Sequence, residues 1–430
     1  MKAGDYVDIE TKDGRKFSGL VMNSADISVV SLKLNSGYNL GIDKKNIKTT
    51  KVGKAILSKI EIKKTEKIDF DPNKKTITIL HTGGTVASRV SYKTGAVAPS
   101  FSPEQIVEMF PELKEIVNVK SRLISNMFSG DMRFGHWNLI AKEIEKELKD
   151  VDGVIVTHGT DTMAYTSSAL GFILENLSKP VILVGAQRSS DRPSSDAGLN
   201  LICAANFIKH SDFNQVAICM HSKSEDDGCY ILPAFNTKKL HTSRRDAFKV
   251  VNGKPIAFVS KSGSIIKMEG YKKKEVKDKL KLKLINDKLK IGVLKAHPNL
   301  FKEEVKMFAK FNGLVIEGTG LGHLSVDKID EITKENTLVL NEIGKLSKLI
   351  PVVMTSQCIF GTVNMNVYQY GRELQKAGVI GNLHNMTFET AFVKLAWLLS
   401  NFKKTEIKDL FAKNINGEVS ERVAYEEEFI

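Results

Sequence analysis

The sequence contains no run of about 18 apolar residues, so no transmembrane helix is expected. Cysteine is scarce as well: four cysteines are scattered over 430 residues and form no Cys-x-x-Cys pair. That spacing argues against a structural zinc site and favours free thiols in a reducing cytosol. The opening residues MKAGDYVDIE are polar and acidic, so no signal peptide is expected. We therefore predict a soluble cytoplasmic protein that does not enter a membrane.

Arginine is scarce beside lysine, and lysine supplies almost all of the excess in a net charge of +13. A basic surface attracts polyanions, including nucleic acids, through its long-range field. An AT-rich genome would produce the same lysine bias without any function. Charge alone therefore leaves contact with nucleic acid open. The lysine-rich residues 271–290 are interpreted as a solvated hairpin or linker.

Residues 1–66 differ in pattern from the remainder of the chain. GDYVDIETKDGRKFSGLVM alternates polar and apolar residues around the turn residues 12–14, and ISVVSLKLNSGYNLGI does so around residues 35–37. Alternation interrupted by such turns predicts short antiparallel strands joined by hairpins. We expect a small β-barrel over residues 1–66, followed by a charged linker at residues 67–75.

From residue 76 onward, apolar strand patterns alternate with amphipathic helix patterns such as FGHWNLIAKEIEKELK. The first predicted strands cover residues 76–80, 153–157, 181–184 and 216–220. This alternation predicts βαβ units and a parallel sheet covered on both faces. A second series, with IGVLKAH, GLVIEGTG and IPVVMTSQC, follows residue 285. We therefore predict two α/β domains, residues 76–285 and residues 286–430.

Three predicted turns carry small hydroxyl side chains next to glycine: TGGT at residues 82–85, FSGD at 128–131 and HGTDT at 158–162. Ligands bind beyond the carboxyl ends of the strands in open parallel sheets. Adjacent glycines let a backbone turn sharply and let another molecule approach it closely. Any one of these turns is a weak signal, but their convergence predicts a functional site.

These segments resemble a known family. TILHTGGTVAS, FSGDMRFGHW, THGTDTMAYTSSAL and VGAQRSSDRPSSDAGLNL resemble the L-asparaginase/glutaminase family of threonine amidohydrolases. SQCIFGTVNMNVYQYGRELQKAGVI is similar to the C-terminal domain of that family. The resemblance covers residues 76–400 in the family's order. It implies an asparaginase-like two-domain body of parallel sheets, here preceded by the small β-barrel.

The resemblance also assigns roles. Thr85 matches the nucleophile, Thr160 and Asp161 match a second threonine and its neighbouring aspartate, and Lys239 matches the active-site lysine. A threonine hydroxyl is a poor nucleophile until a neighbour removes its proton, and a lysine can be that neighbour. Asp161 can orient the lysine and also bind the α-ammonium group of the substrate.

Substrate binding is implied for five further positions, Gly84, Tyr92, Ser129, Asp131 and Gly159. Tyr92 matches the tyrosine of a mobile flap. Backbone N–H groups of the glycine-rich turns can stabilise the oxyanion that forms during amide hydrolysis. His81, His221 and His241 lack the spacing of metal ligands, so no metal site is expected.

The asparaginase family does not normally carry the first 70 residues. An asparaginase-like body behind a small β-barrel is similar to the archaeal D-subunit family of Glu-tRNA(Gln) amidotransferases, and KLHTSRRDAF also resembles that family. This resemblance implies that the chain releases ammonia from glutamine or asparagine without a cofactor. A separate E subunit, using ATP and Mg²⁺, would activate Glu-tRNA(Gln) and convert it to Gln-tRNA(Gln). We expect a homodimer that binds the E subunit as a heterotetramer.

Two other interpretations stay open at this point. The chain could be a stand-alone cytosolic L-asparaginase/glutaminase with an incidental N-terminal domain. It could also be a binding module in which the barrel grips RNA and the body is inactive, although the intact set of threonines, aspartate and lysine argues against that. Near the site, His158, Thr162 and residues 167–168 are interpreted as structural, and residues 189–196 as support behind the site. SRRD at 243–246 is either an ion-pair cluster or a surface for an acidic partner or tRNA.

Overall fold

A computed structural model describes most of the chain: residues 2–22, 24, 26–34, 39–53, 70–84, 86, 88–90, 97–99, 106, 109–188, 194–276 and 278–423. Two predicted site residues, Thr85 and Tyr92, lie outside the described residues. So do the turn residues 35–37 and the first part of the predicted linker, residues 67–69.

The strands and helices of the described residues are as follows. The strands are β1 (Tyr6–Thr11), β2 (Lys16–Met22), β3 (Val29–Leu34), β4 (Asn39–Asp43), β5 (Ile47–Gly53), β6 (Thr76–Gly83), β7 (Ser88–Val90), β8 (Val97–Pro99), β9 (Asn118–Met127), β10 (Gly153–Thr157), β11 (Leu174–Glu175), β12 (Val181–Val184), β13 (Val216–His221), β14 (Gly228–Pro233), β15 (Thr237–Lys239), β16 (Phe248–Val250), β17 (Ala257–Ser260), β18 (Ile265–Lys267), β19 (Lys281–Leu282), β20 (Ile291–Lys295), β21 (Gly313–Gly318) and β22 (Val352–Ser356). The α-helices are α1 (Leu113–Ile116), α2 (Phe134–Glu147), α3 (Met163–Ile173), α4 (Ala197–His210), α5 (Lys302–Lys306), α6 (Lys334–Leu349), α7 (Gln369–Lys376), α8 (Phe388–Asn401) and α9 (Ile407–Phe411). No described helix has the length and apolar character needed to cross a membrane.

The first five strands form an antiparallel sheet in the order β4-β3-β2-β1-β5. The predicted turn at residues 12–14 joins β1 to β2, and Gly14 adopts the left-handed conformation that favours glycine, with φ +82°. Alternate side chains meet in a small core: Val7, Ile9, Val21, Val30, Leu32 and Ile42. The predicted antiparallel strands are thus confirmed. Within the described ranges no ladder joins β4 to β5, so closure of this sheet into a barrel stays a prediction.

The main sheet has eight strands in the order β18-β17-β14-β13-β12-β10-β6-β9. The five strands from β9 to β13 in this order are parallel, and β14, β17 and β18 add to the sheet in antiparallel pairs. The predicted strands are confirmed as β6, β10, β12 and β13. Helices α2 and α3 pack on one face of the sheet and α4 packs on the other, which explains why these strands are continuous apolar runs.

A second parallel sheet, in the order β20-β21-β22, forms from the predicted second series of strands. Helix α8 lies between the two sheets, because its side chains share one hydrophobic core with α3, β21 and β22. The rings of Phe172 in α3 and Trp397 in α8 stack with their centroids 5.1 Å apart. The two halves of the body are therefore joined by buried apolar contacts. The domain boundary near residue 285 stays a prediction.

Candidate active site

Two adjacent glycines at the end of β6 let three strand ends meet. Gly83 and Gly84 have φ of +112° and +80°, which L side chains rarely adopt. A Cβ on Gly83 would lie 2.4 Å from the carbonyl oxygen of Met127, and one on Gly84 would lie 2.8 Å from the backbone nitrogen of Gly159. Only glycine combines the positive φ with the absence of a Cβ that these close contacts require. The turn after β6 therefore packs directly against the ends of β9 and β10.

The turns that follow β9 and β10 also contact each other. Each is a short 3-10 turn, Ser129–Asp131 after β9 and Thr160–Thr162 after β10. The hydroxyl of Thr162 donates a hydrogen bond to the carbonyl oxygen of Ser129 over 2.7 Å. The Ser129 hydroxyl is buried and has no hydrogen-bond partner in the described structure. Such a group carries a free-energy penalty of about 1–3 kcal/mol that a polar ligand atom could relieve.

Lys239, which lies on a hairpin later in the chain, contacts the turn after β10. It ends β15, which pairs antiparallel with β16. Its Nζ donates to the hydroxyl of Thr160 over 2.9 Å and to the carboxylate of Asp161 over 2.8 Å. The Lys239 side chain is only 15% exposed. The structure thus brings together three of the four predicted catalytic residues, whose roles stay predictions.

A cavity of about 300 Å³ opens beside Lys239, at the lower end of the size of small-molecule sites. Its lining consists of Asp161, Ala164, Tyr165, Lys239, Leu240, His241, Thr242 and Glu389. Burial, with smaller contributions from the charges of Glu389 and Glu317, raises the pKa of Tyr165, so its phenol stays protonated. Neither Tyr165 nor Glu389 is predicted from the sequence as a site residue. Glu389 lies on α8, far along the chain, and no local pattern connects it to this site.

Two buried histidines, His81 in β6 and His158 after β10, lie close to the turns of the site. His158 Nδ1 donates to the carbonyl oxygen of Gly159 over 2.7 Å, and Nε2 accepts from the hydroxyl of Thr166 over 2.8 Å. Trp137 Nε1 donates to that same hydroxyl, so with a neutral imidazole the hydroxyl accepts one bond and donates the other. Burial lowers the pKa of His158 to about 4 and the pKa of His81 to about 3. Both are therefore neutral at physiological pH, as the structural interpretation of His158 requires.

These histidines predict a dependence of stability on pH. His384 is also buried, with its pKa lowered to about 4 from an ordinary 6.5. Because all three folded-state pKa values lie below the unfolded value, protonation favours the unfolded chain. Their contribution is complete above pH 6.5 and is lost as the pH falls towards 4, at about 1.4 kcal/mol per pH unit for each histidine. Urea unfolding between pH 7.5 and 4.5 measures this slope.

A matched pair of variants isolates one histidine. His158→Asn is expected to reduce the slope of the free energy of unfolding between pH 6 and 4.5 by about 1.4 kcal/mol per pH unit, the value for one bound proton. His297→Asn is the control: His297 is exposed, and the Pro298 carbonyl and Glu304 raise its pKa, so its contribution to stability is nearly constant between pH 6 and 4.5 and adds little to the slope. An unchanged slope in His158→Asn would show that His158 is protonated in the folded protein.

The neighbouring hydroxyls line the helix rather than cap it. Helix α3 begins at Met163 without a side-chain cap, because the Thr162 hydroxyl is bonded to Ser129 instead. Ser167 and Ser168 both donate to the carbonyl oxygen of Ala234, over 2.8 and 3.2 Å. They fix α3 to the segment that leads to β15.

The SRRD segment forms ion pairs within the chain. Arg244 binds both carboxylate oxygens of Asp246 over 2.8 Å, and Arg245 binds Asp226 over 2.6 Å. Asp196 is fully buried and accepts from the backbone N–H groups of residues 187 and 188. This agrees with a supporting role for the end of the segment 189–196, of which residues 189–193 lie outside the described residues.

Three family models match the chain along most of its length. Those for "Asparaginase, N-terminal" and "Glutaminase/Asparaginase C-terminal domain" match residues 76–271 and 290–411, and that for "GatD N-terminal domain" matches residues 1–52. The chain is 42% identical to the D subunit of the glutamyl-tRNA(Gln) amidotransferase of Pyrococcus furiosus, over 98% of this chain and 95% of that one. It is 41% identical to the D subunit of the same enzyme from Methanococcus maripaludis, over 99% of this chain and 100% of that one. The chain belongs to the D-subunit family of glutamyl-tRNA(Gln) amidotransferases.

The body of this chain is also similar to solved asparaginases. The L-asparaginase of Thermococcus kodakarensis superposes with a TM-score of 0.70 and 29% identity, covering 80% of this chain and 99% of that one. L-asparaginase I of Vibrio cholerae superposes with a TM-score of 0.69 and 28% sequence identity, covering 81% of this chain and 99% of that one. The predicted asparaginase-like α/β body is confirmed. Among the described residues, no group of three or more histidine, cysteine and carboxylate side chains is arranged to hold a metal ion.

Proposed function

We propose that this chain is the amidohydrolase subunit of a tRNA-dependent amidotransferase. It hydrolyses glutamine or asparagine, and a partner E subunit uses the ammonia to convert Glu-tRNA(Gln) to Gln-tRNA(Gln). The observation that carries amide hydrolysis is the contact of the Lys239 Nζ with Thr160 and Asp161 where the strand ends meet. Membership of the D-subunit family over nearly the whole chain supports the tRNA-dependent part.

The proposed reaction begins with Thr85, whose hydroxyl oxygen attacks the amide carbon. Its proton passes to the pair formed by Thr160 and Lys239, which requires the lysine as a neutral amine. The resulting ammonium returns the proton to the leaving nitrogen, so the C–N bond breaks and ammonia departs. Water then hydrolyses the acyl ester on Thr85 and releases the free carboxylate. Asp161 orients Lys239 throughout.

Substrate contacts are proposed for the turns around this group. The buried, unpartnered hydroxyl of Ser129 supports a direct hydrogen bond to the substrate. Backbone N–H groups in the turns at Gly84 and Gly159 are proposed to stabilise the oxyanion. Asp131 is exposed on the same turn as Ser129 and is proposed, with Tyr92 of the flap, to hold the amino-acid end of the substrate.

The chain is proposed to work without a cofactor of its own, with ATP and Mg²⁺ used by the E subunit. We further propose a cytoplasmic homodimer that binds the E subunit as a heterotetramer. A second candidate function is a stand-alone L-asparaginase/glutaminase. The observation that favours it is the likeness of the body to two structures named L-asparaginase, with TM-scores of 0.70 and 0.69.

Dependence on the partner separates these two functions. An amidohydrolase that works without an acceptor wastes glutamine, so the isolated chain is expected to turn over slowly. Adding the E subunit, Glu-tRNA(Gln) and ATP is expected to accelerate glutamine hydrolysis on the order of a hundredfold, a coupling of about 3 kcal/mol. Ammonia release from the chain alone, with the E subunit, and with all components measures this activation.

A variant that lacks residues 1–66 tests whether these residues carry the activation. It is expected to weaken the activation while sparing the slow hydrolysis by the isolated chain. A high rate in isolation that no addition changes would support the stand-alone asparaginase and contradict the amidotransferase role.

A further inference from the structure

Lys239 is held in place by the second half of the chain, through a residue three positions before it. Asn236 has φ +57°, a conformation uncommon for a residue with a side chain. Its backbone N–H donates to the Thr390 hydroxyl over 3.1 Å, and its side-chain oxygen accepts from the N–H of Thr387 over 3.1 Å. Its side-chain nitrogen donates to the carbonyl oxygen of Glu418 over 3.0 Å. All three partners lie in or beside the start of α8, or are fixed to that helix.

The partners of Asn236 are themselves rigidly placed. Thr387 is the N-cap of α8, and its side chain accepts from the N–H of Thr390. Glu418 forms an ion pair with Lys394 of α8 over 2.5 Å, and both side chains are fully buried. The Glu418 carboxylate also accepts from the N–H of Asn416 over 2.7 Å. Because breaking a buried ion pair strongly destabilises a protein, Glu418 is firmly fixed to α8.

A second contact ties the same segment to α8. Lys238, immediately before Lys239, forms an ion pair with Glu389 in the first turn of the helix. The segment that leads to Lys239 is thus attached to α8 at two positions, Asn236 and Lys238. A lysine side chain is flexible, so the position of its ammonium group depends on how firmly its backbone is held.

We infer that Asn236 is a positioning residue, which places Lys239 against Thr160 and Asp161 by fixing the start of β15 to the start of α8. The inference deepens the proposed function and rests on it for its activity measurements. Small misplacements of a catalytic group lower rates by up to about a hundredfold. The rate of hydrolysis therefore depends on contact between the two halves of the body.

Asn252 offers a matched control. It also has φ +57°, and its side chain also bridges to the second half of the chain. Its nitrogen donates to the carbonyl oxygen of Asn385 over 2.9 Å, and its oxygen accepts from the N–H of Gly361 over 2.8 Å. It follows β16 and does not lead to the lysine. Replacing it removes bonds of the same kind and leaves the bonds between Asn236 and the start of α8 in place.

The experiment compares Asn236→Gly with Asn252→Gly in the full chain with its E subunit. Glycine tolerates the left-handed conformation, so each change removes the side-chain bonds without straining the backbone, and the added backbone freedom of glycine is common to both variants. For Asn236→Gly we expect kcat for glutamine to fall by about tenfold or more, with KM within about twofold. For Asn252→Gly we expect both constants within about twofold of the wild type, at a similar loss of thermal stability.

A second measurement does not depend on activity. Brief labelling with acetic anhydride, followed by peptide mass spectrometry, reports how accessible Lys239 is relative to exposed Lys310. We expect about threefold faster labelling of Lys239 in Asn236→Gly and no change in Asn252→Gly. Thr390→Val removes the acceptor of the Asn236 N–H and should change kcat and the labelling of Lys239 in the same direction as Asn236→Gly. Thr390→Ser keeps the hydroxyl and should leave both close to the wild-type values.

The outcomes are distinguishable. Equal losses of kcat in the two glycine variants, or unchanged labelling of Lys239 in Asn236→Gly, would overturn the positioning role and leave Asn236 a stabilising residue only. A wild-type complex that hydrolyses neither glutamine nor asparagine would overturn the proposed function instead. In that case the labelling ratio would still decide whether Asn236 holds Lys239.

Discussion

Replacing Thr85 with valine is expected to abolish amide hydrolysis while leaving the fold nearly unchanged. Valine has almost the shape of threonine but lacks the hydroxyl that is proposed to attack the amide carbon. Loss of a nucleophile lowers kcat on the order of 10⁴-fold or more, because the remaining groups bind the substrate without a covalent route. Ammonia release from the complete complex measures kcat, and thermal unfolding reports the fold.

The same turn provides the control. Thr82 is buried, and its hydroxyl donates to the carbonyl oxygen of Thr157 over 2.8 Å. Thr82→Val should therefore lower the free energy of unfolding by about 1 kcal/mol and change kcat only severalfold. If Thr85→Val hydrolysed glutamine at close to the wild-type rate, Thr85 would not be the nucleophile, and the hydroxyl of Thr160 would be the next candidate.

The sequence predicts the main sheet well for a physical reason. Parallel strands covered on both faces are continuous apolar runs, and each of the four predicted strands lies within β6, β10, β12 or β13. Glycine pairs mark places where backbones must approach, and Gly83 and Gly84 do lie against the neighbouring turns. Alternation of polar and apolar residues also predicts the strands of the N-terminal sheet. It does not determine whether the outer strands close into a barrel, because closure depends on pairing between β4 and β5.

The rest of the site depends on contacts that leave no local pattern. The Asn236 backbone meets Thr390, and Lys238 meets Glu389, across more than 150 positions of the chain. Thr162 stands where a helix cap is expected, but its hydroxyl is taken by a turn that arrives from another strand. The first two pairings follow from the packing of α8 between the two sheets, and the third follows from the meeting of the turns after β9 and β10. Periodicity and turn residues contain no information about them.

The second large effect is expected at Lys239. Lys239→Ala should lower kcat on the order of 10³-fold, since the group proposed to take and return the proton is lost. Lys249→Ala is the control within the same hairpin, because Lys249 lies on β16 and pairs with Asp246 instead of the site. It should change kcat by less than about twofold.

The effects of Lys239 and Thr160 should not add. The Lys239 Nζ and the Thr160 hydroxyl are 2.9 Å apart and are proposed to share one proton path. Once either group is lost the path is broken, so Thr160→Ala combined with Lys239→Ala should be little worse than Lys239→Ala alone. Measuring kcat/KM for the wild type, both single variants and the double variant gives the coupling energy, which should be nearly as large as the smaller single loss. If the two losses simply added, each side chain would act independently, and Thr160 would serve in substrate binding rather than in proton transfer.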